Sequence, residues 1–265
     1  IRDLGVDIVQ IDDPHLCLFV DPDVRKAYDD PDAAAHFAAD MVNAVVDGFT
    51  GIKFDPAAPY SAFDPRQPSL ESMELCVKFC KLIREAVGTK ADLLFGTHGQ
   101  FTTAGAIRFA KKIEPFDPLW FEEPTPPEKP EDMALVARGT SIPVATGERL
   151  TTKYEFARVL ECRAAAILQM ALGRVGGIWE AKKIAGMAET FYAQIAPHLY
   201  AGPVEGAANI HYAASLPNFL ILESIEEWGG FHAEILKKPI PRYEHYKIVQ
   251  SEEEGMEVAN TLGKE

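Results

Sequence analysis

Eight short apolar runs, most of them followed by a stretch with helical spacing, limit what this chain can fold into. They fall at residues 16–20, 51–54, 92–96, 119–122, 143–147, 164–170, 191–196 and 219–222. Runs this short that do not alternate with polar residues suit strands buried on both faces of a parallel sheet. Helical spacing predicts helices over 31–46, 70–87, 103–113, 131–138, 152–161, from Gly176-Gly177 to Thr190, and 206–215. Asp30 with Pro31, Ser69 with Glu71, and Thr151 or Thr152 have the residue types that start helices. Regular strand–helix units of this number predict a (β/α)8 TIM-like barrel over 16–224, with a junction at 1–15 and a tail at 225–265. A doubly wound sheet would need a glycine-rich phosphate loop after an early strand, and the sequence has none.

Two of the runs end in acids, Leu119-Trp120-Phe121-Glu122-Glu123-Pro124 and Ala145-Thr146-Gly147-Glu148-Arg149. Glu122 and Glu148 are one strand–helix unit apart, so neighbouring parallel strands would bring both carboxylates to one rim of the sheet. Like charges held side by side repel, and a divalent cation between them is the simplest way to keep both ionised. Each acid alone would read as a cap on the following helix. Lys53, Gly96 with His98, the stretch 169–173, His198 and Glu223 stand at the other strand ends, the rim where a parallel barrel carries its chemistry.

Composition narrows the function classes. The 265 residues are 47% hydrophobic, enough for a large core. A formal charge of −14 with no basic patch argues against nucleic acid and anionic membrane surfaces, and no apolar run approaches a membrane span. The four cysteines lack paired metal spacing; Cys76 and Cys80, one helical turn apart, read as core thiols in a reducing cytoplasm.

The strand-end series, Trp120-Phe121-Glu122-Glu123-Pro124, Gly147-Glu148-Arg149, Arg174-Val175-Gly176-Gly177-Ile178, Ala196-Pro197-His198 and the run from Pro217 to Glu223 together resemble the enolase superfamily, in its mandelate-racemase-like branch of acid-sugar dehydratases. The resemblance covers about residues 16–223. It implies a further capping domain, which is not expected within this sequence, and a small-molecule carboxylate as substrate. It also implies association into homo-oligomers. Its chemistry is removal of a proton beside a carboxylate, with the enediolate stabilised by Mg²⁺.

By that resemblance Glu122 and Glu148 are two of three metal ligands, and the third, an aspartate, falls on Gly96. His98, two residues further on, is implied as a general acid or as a substitute leaning toward the metal. Lys53 matches the first lysine of a Lys-x-Lys pattern whose second lysine is Asp55 here. It is a candidate for neutralising the substrate carboxylate or for removing the proton, with Tyr60 a weaker candidate base. His198 matches a seventh-strand histidine whose usual aspartate partner is replaced by Ala171, which suits it to donating a proton. Glu223 matches a glutamate that hydrogen-bonds the substrate carboxylate when protonated, a form that burial would favour. The expected reaction is Mg²⁺-dependent dehydration of a sugar acid to a 2-keto-3-deoxy acid. A racemase or epimerase on the same scaffold and a catalytically impaired relative remain alternative readings.

Overall fold

Burial on both faces fixes the strands. Gly51–Phe54 and Trp120–Glu122 are buried at every residue, as a sheet covered by helices on one side and closely packed on the other demands. The computed structural model of the protein describes residues 8–12, 50–57 and 63–224. Its strands are β1 (Ile8–Asp12), β2 (Gly51–Phe54), β3 (Asp92–Gly96), β4 (Trp120–Glu122), β5 (Val144–Thr146), β6 (Ile167–Leu168), β7 (Gln194–Ile195) and β8 (Leu222–Ser224). They form one eight-stranded sheet in the order β7-β6-β5-β4-β3-β2-β1-β8, with every ladder parallel. A parallel bridge between Ile195 and Phe219 ties β7 to the segment that enters β8. The architecture is an α/β parallel sheet of the TIM-barrel type.

The strand between β8 and β2 is Ile8–Asp12, which lies inside the stretch expected to be a junction. Gln10 and Asp12 dilute its apolar character, so the sequence pointed instead to 16–20. That run lies outside the described residues, as do the expected helix at 31–46 with Asp30, Tyr60, and the tail at 225–265.

The helices follow their caps. In α1 (Leu70–Val87) the Ser69 side chain accepts from Ser72 N, and Met73, Cys76, Phe79, Cys80, Ile83 and Val87 make one buried stripe at helical spacing. Thr102 caps α2 (Thr103–Ile113), which runs into a 3₁₀ turn at Glu114–Phe116. Pro130 opens α3 (Pro130–Gly139), and a reciprocal capping box between Thr152 and Glu155 opens α4 (Lys153–Glu161). A short α5 (Leu172–Val175), absent from the expectation, precedes α6 (Ile178–Glu189) and α7 (Pro203–Ala214). Among the described residues no helix is long and apolar enough to cross a membrane.

Alternation along the strands sorts the core. Ile52, Phe54, Leu93, Phe95 and Phe121 point to the helix layer, where Phe54 meets Phe79 and Phe95 edge-on and Phe121 meets Phe101 and Phe109. The opposite face carries a separate cluster of Leu94, Trp120, Ala145, Ile167, Ala196 and Ile221, drawn from six consecutive strand segments. That cluster is a dry floor, and the candidate site stands on it.

Candidate active site

Side chains two residues apart on a strand face the same way. Two residues beyond each member of the apolar floor stand Gly96, Glu122, Gly147, Gln169, His198 and Glu223, so one layer of hydrocarbon gives way to a ring of four polar side chains and two glycines. Lys53, paired in register with Leu94, joins that ring from β2. Glu122, Glu223, Gln169 and Lys53 are each at most 2% exposed, and Glu148 is 8% exposed.

The ring is a connected chain of charge. The Lys53 ammonium lies 2.8 Å from Glu122 Oε1 and 3.0 Å from Glu223 Oε1. Glu122 Oε2 accepts from Gln169 Nε2 at 2.8 Å and from Trp120 Nε1 at 3.1 Å. Glu223 Oε2 accepts from Leu199 N at 2.6 Å and lies 2.6 Å from His198 Nδ1. His198 Nδ1 is also 3.5 Å from Glu148 Oε2, and His98 Nε2 is 3.8 Å from Glu148 Oε1. The structure therefore brings Lys53, His98, Glu122, Glu148, His198 and Glu223 to one mouth, with Glu148 between the two imidazoles.

Their surroundings drive the protonation states apart. Burial pushes His98 down to about 4, helped by Lys53, Arg149 and His198 against the pull of Glu122. Burial also opposes charge on His198, but the Glu223 carboxylate, with Glu148 behind it, raises that imidazole to about 9. Burial and the neighbouring Glu148 and Glu223 raise Glu122 against the pull of Lys53.

Glu223 departs from the sequence expectation. Burial alone would favour its neutral form, but His198, Lys53 and the Leu199 amide hold it well below the usual carboxylate range, so it stays ionised. The missing carboxylate at Ala171 is thereby replaced: Glu223 fixes the His198 ring from the neighbouring strand segment. Lys53, clasped by two carboxylates, is placed as a counter-ion rather than as a free amine waiting for a proton. Asp55 accepts from Ala57 N at 2.8 Å and from Gln100 Nε2 at 3.2 Å, and so fastens the loop after β2.

Glycine at 147 has a conformational reason. Its φ is +145°, and a Cβ there would lie 2.8 Å from Gln169 N and 2.9 Å from Gln169 C. The bend at Gly147 leads directly into Glu148 at the mouth.

Sequence reasoning missed Glu123 and Arg149. Glu123 is fully buried at a φ of 35°, a conformation rare outside glycine. Its carboxylate accepts from Arg149 Nε at 2.7 Å and Thr146 Oγ1 at 3.3 Å, and its carbonyl accepts from Gly99 N at 2.8 Å. Burial and Glu148 push its carboxyl up to about 8 despite Arg149. The Arg149 guanidinium stacks 4.6 Å from the Phe63 ring, so this pair fixes the loop that carries His98. The signal was present in the adjacent letters Glu122-Glu123 and Glu148-Arg149, where the second residue of each pair takes the other face.

Among the described residues no three histidine, cysteine or acidic side chains already form a metal cluster. The donor chemistry nonetheless suits a hard divalent cation in two places. Glu148 Oε2 is buried without a hydrogen-bond partner, and three carboxyl groups here face two cationic side chains. Glu122 would offer its Oε1 by giving up Lys53.

Comparison with known proteins places these features in a family. The Enolase C-terminal domain-like family matches residues 36–258. The D-xylonate dehydratase of Haloferax volcanii is 35% identical over 73% of this chain and 47% of its own length. The D-gluconate/D-galactonate dehydratase of Picrophilus torridus is 35% identical over 76% of this chain and 51% of its own. A solved structure, the mandelate racemase/muconate lactonizing enzyme from a Sulfitobacter species, is 64% identical with a TM-score of 0.71, covering 76% of this chain and 50% of that one. The chain thus spans about half the length of the curated relatives it matches.

Proposed function

The chain belongs to the Enolase C-terminal domain-like family of the enolase superfamily, and on that premise we propose that it forms the catalytic part of a hydro-lyase acting on a sugar acid. The observation that carries this reading is the pair of imidazoles on either side of Glu148, one kept neutral and the other kept charged. Eliminating water across two adjacent carbons needs a group that takes a proton and a group that gives one. Environments that push two pKa values apart assign those roles.

His98, neutral at pH 7, accepts the proton from the carbon beside the substrate carboxylate. His198, an imidazolium held by Glu223, donates to the departing hydroxyl, so the C–O bond breaks as water leaves. The resulting enol gains a proton at the adjacent carbon and becomes a 2-keto-3-deoxy acid. Mg²⁺, held by Glu122 and Glu148, would supply Lewis acidity that makes the neighbouring C–H acidic. Lys53 adds positive charge on the β2 side, and the apolar floor keeps bulk water from below the reacting carbons. The dehydratase relatives act on aldonates by name, which makes aldonates the first substrates to try and aldarates the second.

In the same reading the eight strands close into a barrel, supported by the bridge at Ile195 and Phe219. The partners are a small carboxylate and further copies of the chain. The test is a screen of aldonates and aldarates with Mg²⁺ for keto-acid formation, with Glu148→Gln as control. Product formation that survives in Glu148→Gln, or no product from any sugar acid, counts against it. Size-exclusion chromatography with light scattering tests the association.

A further inference from the structure

Lys53 and a side chain at position 96 cannot coexist in this arrangement. A Cβ built on Gly96 would lie 2.5 Å from Lys53 Cε, 3.0 Å from Cγ and 3.3 Å from Cδ, so the lysine stem runs through the volume that any other residue would fill. The stem ends in an ammonium between Glu122 Oε1 and Glu223 Oε1. The second oxygen of Glu122 is already used by Gln169 and Trp120. While the lysine stays, Glu122 Oε1 faces its ammonium at 2.8 Å, and a divalent ion approaching that oxygen meets a positive charge in direct contact.

We infer that Lys53 is a resident competitor for the cation position at Glu122, and that Gly96 is the residue that lets it lie there. A divalent cation enters by exchange with the ammonium and does not fill an empty seat. This rests on the proposed assignment of Glu122 and Glu148 to the metal. Exchange keeps the buried carboxylate neutralised at every stage, which matters because an unpaired charge at that depth is costly. It also couples two ligands. The ammonium released from Glu122 becomes available to an incoming substrate carboxylate, so cation and carboxylate favour each other's binding.

Calorimetric titration of Mg²⁺ into the full chain and into Lys53→Met, Gly96→Ala and Glu148→Gln tests this, after circular dichroism has confirmed folding. Lys53→Met removes the competitor and is expected to bind Mg²⁺ at least about tenfold more tightly than the unaltered chain. Gly96→Ala keeps the lysine, and the atom nearest its new methyl is the flexible end of that side chain, so it displaces the ammonium without straining backbone. It is expected to shift affinity in the same direction. Equal affinity in the unaltered chain and both variants, with binding lost in Glu148→Gln, overturns the competition and leaves the metal assignment standing. No binding in the unaltered chain and in both folded variants overturns the competition and the metal assignment together.

Discussion

His198 Nδ1 and Glu223 Oε2 stand 2.6 Å apart, an ion pair joining the end of one strand to the end of the next. Burial alone would lower this imidazole; the carboxylate raises it to about 9. A raised histidine stabilises the folded state fully below its unfolded pKa, about 6.5, and the contribution fades as pH climbs through the folded value. The groups facing it are Glu223, Glu148 and Lys53, of which the two acids favour its charge. Keto-acid formation is therefore expected to hold through neutral pH and fall above about pH 9. In Glu223→Gln the fall should move toward 6.5, and NMR titration of the imidazole should move with it. An alkaline limit that stays put in that variant removes His198 as the proton donor.

His98 sits on the other side of Glu148 with the opposite bias. Burial holds it neutral down to about pH 4, so it contributes no acid limb between pH 5 and 7. His98→Gln is expected to lower kcat by about 10²–10⁴ with a small change in KM, the usual effect of losing a positioned acid–base group. With the side chain 24% exposed, the urea midpoint should stay close to that of the unaltered chain. A loss seen in KM alone would make His98 a binding group.

Phe121 belongs to the fold and not to the chemistry, although it adjoins Glu122. It is fully buried, 6.1 Å from Phe101 and 5.8 Å from Phe109 between ring centres. Phe121→Ala should cost about 3–5 kcal/mol in urea unfolding, from lost burial and the cavity left behind. A cost under about 1 kcal/mol would mean that the aromatic cluster repacks around the gap.

Gly147→Ala provides the contrast to Gly96→Ala. Here a new methyl meets the backbone of Gln169, which cannot step aside, and the φ of +145° is one that side-chain-bearing residues rarely adopt. The expected penalty is about 1–3 kcal/mol. Activity should fall as well, because the same Gln169 donates to Glu122. Equal stability of the Gly147 variant and the unaltered chain would overturn this reading of the bend.

Periodicity carried most of the fold. Leu70–Val87 and Thr103–Ile113 emerged at their expected bounds because each has a capping side chain in front and a sustained apolar stripe. The ladders from β4 to β7 are shorter than the apolar runs that suggested them, since only part of each run pairs with a neighbouring strand. The sequence passed over Ile8–Asp12 because Leu16-Cys17-Leu18-Phe19-Val20 is more apolar, and local hydrophobicity does not encode that Ile8–Asp12 finds partners in β2 and β8.

The site residues were legible one by one from their positions at strand ends. Their partnerships were not. Lys53 meets Glu223 across 170 residues of sequence, and no pattern of spacing predicts that one ammonium will clasp the acids of β4 and β8 together. The empty place at Ala171 looked like a weakness for His198 for the same reason. Its partner comes from another strand, whose reach depends on how tightly the sheet curls.

The shared volume of Lys53 and Gly96 ties two strands together. A larger residue at 96 pushes the lysine stem aside, whereas losing the lysine takes the ammonium from Glu122 and leaves Glu223 with His198. A residue at 96 thus sets the path of the lysine and not its presence, and the resembling pattern of an aspartate at 96 with a lysine at 53 requires that stem to run elsewhere.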